Sequence, residues 1–97
     1  MLTAYFTVVP DWTCEVLSKS TESLDRNEKL PIYAEKGVRH VWLVDPIART
    51  LEVHTLGEGG RWREVRVHQG DERVRAAPFE AIELELGALW SPPHVSA

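Results

Sequence analysis

The sequence has a single cysteine, Cys14, among its 97 residues. One cysteine cannot form an internal disulfide, so the composition predicts a reducing, cytoplasmic environment. The residues beside Cys14 do not activate a thiolate, which favours a buried structural cysteine over a nucleophile. The first nine residues carry no basic leader and are too short to span a bilayer, so neither a signal peptide nor a membrane partner is predicted.

Several chemical signatures are also missing. The sequence contains no P-loop, no GxGxxG motif, no nucleophile elbow and no paired-cysteine motif. The four histidines are scattered without the close spacing of a zinc pair, which disfavours a zinc site. The net charge of −4 argues against a generally basic nucleic-acid coat but leaves room for a local basic patch.

The pattern of apolar residues predicts one α/β (α+β) domain over residues 1–90 and a flexible tail over 91–97. Residues 11–18 favour a first strand, and hydroxyl side chains behind it suit a helix N-terminus. Pro31 predicts a kink, or a loop through about residue 27 followed by a helix from near Lys29 or Leu30. The continuous apolar run over 38–44 indicates a strand that is buried on both faces, which completes a right-handed βαβ unit with parallel strands.

The second half of the chain reads as antiparallel. Residues 50–56 and 62–68 alternate apolar and polar side chains and are joined by a glycine-rich stretch, which predicts a hairpin. Shorter strands are predicted over 73–75 and 81–86. The expected architecture is therefore a βαβ unit followed by an antiparallel hairpin and C-terminal strands in a mixed sheet.

Asp11 and Glu15 are the strongest chemical hint. Four residues apart on a strand, they would share a face, where two acids repel unless water, a cation or a base lies between them. With Lys19 and Lys29 nearby, the set fits metal-assisted phosphodiester hydrolysis, in which carboxylates hold Mg²⁺ and an ammonium stabilises charge on the phosphate. An edge strand with solvated surface charges explains the same pattern.

An ordered run of motifs resembles a known family. The segments are Pro10-Asp11 with Glu15-Val16-Leu17-Ser18, Asp25-Arg26-x-x-Lys29, Tyr33-x-x-x-Gly37-Val38 and Trp42-Leu43-Val44-Asp45-Pro46. Together they resemble the Uma-type restriction endonucleases of the PD-(D/E)XK nuclease superfamily, over residues 10 to about 90. The resemblance implies a restriction-endonuclease-like core that cleaves DNA with Mg²⁺ or Mn²⁺.

The resemblance also implies roles for individual residues. Glu15 matches the acidic metal ligand on the core strand. The usual lysine two positions later is replaced by Leu17, and Lys29 on the following helix matches the family's substitute. Asp25 is expected to orient Lys29, and Tyr33 to lie on the same helix face.

Other positions depart from the family or carry less weight. Lys19 stands where the family usually has proline and adds a cation near the predicted site. Asp11 matches a residue at the start of the strand and not a catalytic acid. Asp45, which closes the next strand, is expected to be structural.

Family members are about twice as long as this chain, and their N-terminal half carries further metal ligands. The resemblance therefore implies a truncated core with an incomplete metal site and an uncovered sheet edge. Such an edge invites pairing, so a homodimer or higher oligomer is expected. The alternative is a catalytically inactive remnant that acts as an oligomerising or binding module.

Overall fold

The computed structural model describes residues 10–90, so the predicted lead-in over 1–9 and the tail over 91–97 lie outside it. The described range begins with strand β1 and a helical segment, and continues with three strands. The helical segment (22–36) consists of α1, a π-helical turn and α2. The elements are β1 (Trp12–Val16), α1 (Glu22–Leu24), the π-helical turn (Asp25–Lys29), α2 (Leu30–Lys36), β2 (His40–Asp45), β3 (Thr50–Leu56) and β4 (Trp62–Gln69). Two short strands, β5 (Arg73–Val74) and β6 (Leu84–Glu85), precede the final helix α3 (Gly87–Trp90).

Among residues 10–90 the main sheet has four strands in the order β1-β2-β3-β4. β1 and β2 are parallel, as the βαβ interpretation predicts, and β2, β3 and β4 are successively antiparallel. The mixed α+β class is confirmed. The C-terminal strands pair with each other in a separate two-stranded sheet, so their predicted place in the mixed sheet is wrong. The predicted strand over 81–86 is limited to Leu84 and Glu85, because turns occupy the residues before them.

The helical segment runs without a loop, so the predicted loop through about residue 27 is wrong, whereas the predicted helix start near Leu30 is confirmed. The π-helical turn lies just before Pro31, and the Leu30 N–H donates to the Asp25 carbonyl, five residues back. Proline has no N–H for the usual bond to the residue four before it, and the wider turn lets the helix continue into α2. Gly37 ends α2 with φ of 84°, the left-handed conformation that glycine adopts at low cost.

Apolar side chains cover both faces of the sheet. One cluster joins the sheet to the helical segment and contains Leu17, Leu30, Val38, Val41 and Leu43. The other lies between the sheet and the C-terminal elements and contains Trp42, Val44, Leu51, Val53, Val74, Ala76 and Leu86. β2 supplies residues to both clusters, which confirms that it is buried on both sides. No helix among residues 10–90 is long and apolar enough to cross a membrane.

Cys14 is exposed, so its predicted burial is wrong. β1 is an edge strand of the described sheet. On the face of β1 that carries Cys14, only Trp12 packs against the cluster around Trp42. Desolvation raises the pKa of the Cys14 thiol, and the Glu15 carboxylate adds to the rise. The thiol is therefore protonated near neutral pH, which agrees with the absence of an activated nucleophile.

Candidate functional site

Glu15 lies on β1, opposite Leu43 of β2, and its side chain is 19% exposed. It lies on the sheet face that the helical segment covers. Residues that pair across neighbouring strands point to the same face of the sheet. Glu15 pairs with Leu43 and Leu43 pairs with Glu52, so these three side chains form one row across β1, β2 and β3. The strand therefore places a carboxylate in a half-enclosed space beneath the helical segment, where a partner of opposite charge is needed.

Lys29 supplies that partner. Its Nζ lies 3.3 Å from Glu15 Oε1 and 3.2 Å from Asp25 Oδ1. The Asp25 side chain is 2% exposed, and its Oδ1 makes an ion-pair contact without the alignment of a hydrogen bond. The Asp25 carboxylate, and secondarily that of Glu15, holds the pKa of Lys29 above its usual value. Lys29 thus remains a fixed positive charge at neutral pH.

Tyr33 closes the cluster from the next turn of the helix. Its hydroxyl donates a short hydrogen bond to Glu15 Oε2. Burial, and then the adjacent Glu15 carboxylate, raise the pKa of Tyr33 to about 12. The neutral phenol therefore orients the carboxylate on the side opposite Lys29. We call Glu15, Asp25, Lys29 and Tyr33 the carboxylate–lysine cluster.

Two predicted site residues do not join this cluster. Lys19 is exposed and forms no hydrogen bond or ion pair with any residue of the described range. It lies in the turn that starts the helical segment, where Ser18 and Thr21 bond reciprocally through their hydroxyls and backbone N–H groups. Asp11 is exposed one residue before β1, and its carbonyl accepts a bond from the His40 N–H. Its position agrees with the structural assignment at the start of the strand.

A second charged network went unrecognised in the sequence. Arg26 binds Glu52 with two hydrogen bonds of 2.9 and 2.5 Å and binds Glu22 at 2.8 Å. Glu52 also contacts His54 Nε2 at 3.0 Å, and His54 is 6% exposed. Arg26 is the main cause of the lowered pKa of Glu52. The available signal was an acid and a histidine at alternate positions of β3, facing the predicted helix.

Asp45 has the structural role expected of it. Its Oδ1 accepts hydrogen bonds from the backbone N–H groups of Ile47 and Ala48, at 3.0 and 2.9 Å. This arrangement is the side-chain-stabilised turn that Asp commonly forms at the end of a strand. It orders the connection between β2 and β3.

Few side chains of the site are available to bind a metal ion. Among residues 10–90, no group of three or more His, Cys, Asp or Glu side chains is arranged to hold a metal. The carboxylate–lysine cluster offers Glu15 and the buried Asp25, and Lys29 contacts both. Mg²⁺ accepts one or two carboxylates when waters and phosphates fill its other positions. The described residues of the cluster therefore offer at most two carboxylates to a divalent cation, fewer ligands than such an ion needs.

Comparison with known proteins places these features in a family. Residues 2–88 match the model of the Uma2 family, described as "Putative restriction endonuclease". A crystal structure of a putative nuclease belonging to DUF820, from Anabaena variabilis ATCC 29413, is similar with a TM-score of 0.67 and 25% identity. The match covers 88% of this chain and 46% of that one, so this chain spans about half of its length. No curated protein matches. The chain belongs to the Uma2 family of restriction-endonuclease-like proteins, as its motifs predicted.

Proposed function

We propose that this chain carries part of the active site of a DNA endonuclease that hydrolyses phosphodiesters with Mg²⁺ or Mn²⁺. The observation that supports the proposal is the carboxylate–lysine cluster, which pairs an acid on β1 with a lysine on the next helix in a chain of a nuclease-like family. A cytoplasmic location is part of the same proposal, since the DNA substrate and the single cysteine both suit it.

Each member of the cluster has a distinct role. Glu15 is the metal ligand, and a bound metal would polarise the phosphate and activate water. Lys29 orients that water and stabilises negative charge that builds on the phosphate, because its raised pKa keeps it protonated. Asp25 and Tyr33 are positioning residues: the first holds the Lys29 ammonium and the second holds the Glu15 carboxylate.

The remaining ligands come, in this proposal, from a second copy of the chain. Within residues 10–90, β1 pairs only with β2, which leaves its other edge without a described partner strand, and Val16 on it is 63% exposed. An unprotected strand edge with apolar side chains favours pairing with another chain. Glu15 lies on this same strand, so a partner docked there would approach the carboxylate–lysine cluster.

A dimer or larger assembly is therefore expected at micromolar concentration, measured by size-exclusion chromatography with light scattering. Val16→Lys should shift the protein toward monomer because it places charge on the pairing edge. Val67→Lys, on the opposite edge strand β4 and 58% exposed, is the matched control and should leave the mass unchanged. A wild-type monomer, or equal masses for both variants, would contradict pairing through β1.

Cleavage of supercoiled plasmid tests the activity itself. Nicked or linear product is expected with Mg²⁺ or Mn²⁺ and none with EDTA, because the described residues alone do not complete the chemistry. The second candidate function, an inactive binding module, is favoured by the short ligand set of residues 10–90. No metal-dependent cleavage, together with no heat of Mg²⁺ or Mn²⁺ binding in calorimetry, would select that alternative.

A further inference from the structure

A cavity of about 550 Å³ lies at the end of the sheet where β2 begins, away from the carboxylate–lysine cluster. Its wall combines the residues after α2 with the end of β3 and the start of β4. The charged and polar lining consists of Arg39, His40, Thr55, Glu58 and Arg63. His40 pairs with Trp12 in register, whereas Glu15 pairs with Leu43. Three residues of strand separate the two rows, which is about 10 Å along the sheet.

The two arginines of this wall are unpaired. Within residues 10–90, Arg39 and Arg63 form no ion pair, whereas Arg26, Arg66 and Arg73 each contact a glutamate. Two guanidinium groups that line one cavity and form no ion pair are suited to bidentate recognition of phosphate. The cavity therefore has a net positive wall even though the whole chain is acidic.

The backbone fixes both arginines at their positions. The Arg39 carbonyl accepts a hydrogen bond of 2.8 Å from the Leu56 N–H, which ties it to β3. The stem of Arg63 lies directly over Gly57, where a Cβ would come within 2.7 Å of Arg63 Cβ. A glycine at 57 is thus required for the close approach that brings Arg63 to the cavity.

Glu58 opposes anion binding because it is the one acid in the wall, and this makes its removal informative.

We propose that Arg39 and Arg63 form a phosphate-binding pocket. The phosphate belongs either to free inorganic phosphate or to the DNA backbone. Binding of free phosphate does not depend on the proposed nuclease function, whereas binding of the DNA backbone rests on it. In that case the pocket would hold a backbone phosphate other than the one at Glu15.

Inorganic phosphate titrated into ¹⁵N-labelled protein tests the pocket without requiring cleavage. Saturable shifts are expected for the amide signals of Gly37, His40 and Gly57. Arg39→Gln combined with Arg63→Gln should weaken this binding at least 10-fold, and Glu58→Gln should strengthen it several-fold. Arg49→Gln combined with Arg73→Gln removes the same charge from exposed sites outside the cavity and is the control. Equal binding by both double variants would overturn the proposal.

Binding of a fluorescent DNA duplex in EDTA identifies the source. If the pocket holds backbone phosphate, the double cavity variant lowers the slope of log K against log salt concentration by about 1 to 2 relative to the control. If the slopes are equal and inorganic phosphate still binds, the pocket serves free phosphate. A protein that binds phosphate but never cleaves plasmid would retain the pocket and lose the proposed nuclease function.

Discussion

Replacing Glu15 with glutamine is expected to reduce metal-dependent DNA cleavage by at least about 100-fold, which is the typical loss when one charge-stabilising group is removed. Glutamine preserves the size of the side chain but removes the negative charge that would hold a metal and that faces Lys29 at 3.3 Å. Lys29→Met should have an effect of the same order because it removes the cation aimed at the phosphate. Initial rates of plasmid nicking with Mg²⁺ measure both losses.

Lys19→Met is the matched control for Lys29→Met. Both substitutions remove one lysine charge, but Lys19 is exposed and does not contact the carboxylate–lysine cluster. Its cleavage rate should stay within a factor of about two of wild type, because exposed single charges contribute little. Circular dichroism melting would show that the inactive variants remain folded. Equal activity in wild type, Glu15→Gln and Lys29→Met would rule out the catalytic assignment.

Arg26→Met is expected to destabilise the fold by roughly 2–3 kcal/mol at pH 7, the range for a charge-assisted hydrogen bond whose partner stays buried. The substitution leaves Glu52, whose side chain is 15% exposed, without the cation that binds it twice. The free energy of unfolding from urea titrations measures the loss. Arg66→Met breaks a pair with side chains 68% and 41% exposed, and it should cost less than about 1 kcal/mol.

The same contact predicts a pH dependence. Because Arg26 lowers the folded-state pKa of Glu52, the pair stabilises the fold fully above the unfolded pKa of glutamate, about 4.3. This contribution is lost as the pH falls through the lower, folded-state pKa. The difference between wild type and Arg26→Met should therefore shrink between pH 5 and pH 3. A difference that stays constant over this range would show that Glu52 does not titrate with the pair.

The topology of the main sheet could be predicted because its signals are local and strong. The apolar run of β2 and the alternation of β3 and β4 each identify a strand without tertiary information. Parallel pairing of β1 with β2 then follows from the connecting helix. The exposure of Cys14 could not be predicted in the same way, because it depends on which strand forms the edge of the sheet.

The candidate site was only partly accessible from sequence. Spacing by four along a helix and the family motifs led to Asp25, Lys29 and Tyr33, and the structure brings all three to Glu15 or its partner. Lys19 was predicted because it is close to Glu15 in the sequence. It lies in a turn, however, and closeness in sequence does not say which way a side chain points there. Glu52 was missed because its contact with Arg26 spans 26 residues and depends on the tertiary fold.

The π-helical turn affects the angular alignment of the carboxylate–lysine cluster. In a regular α-helix a four-residue step overshoots a full turn by about 40°, so Asp25, Lys29 and Tyr33 would drift progressively around the axis. In the wider turn over Asp25–Lys29 a four-residue step falls short of a full revolution, because its bonds join residues five apart. The shortfall before Lys29 offsets the overshoot after it. The extra residue ahead of Pro31 therefore keeps the side chains of Asp25, Lys29 and Tyr33 close to one face of the helical segment.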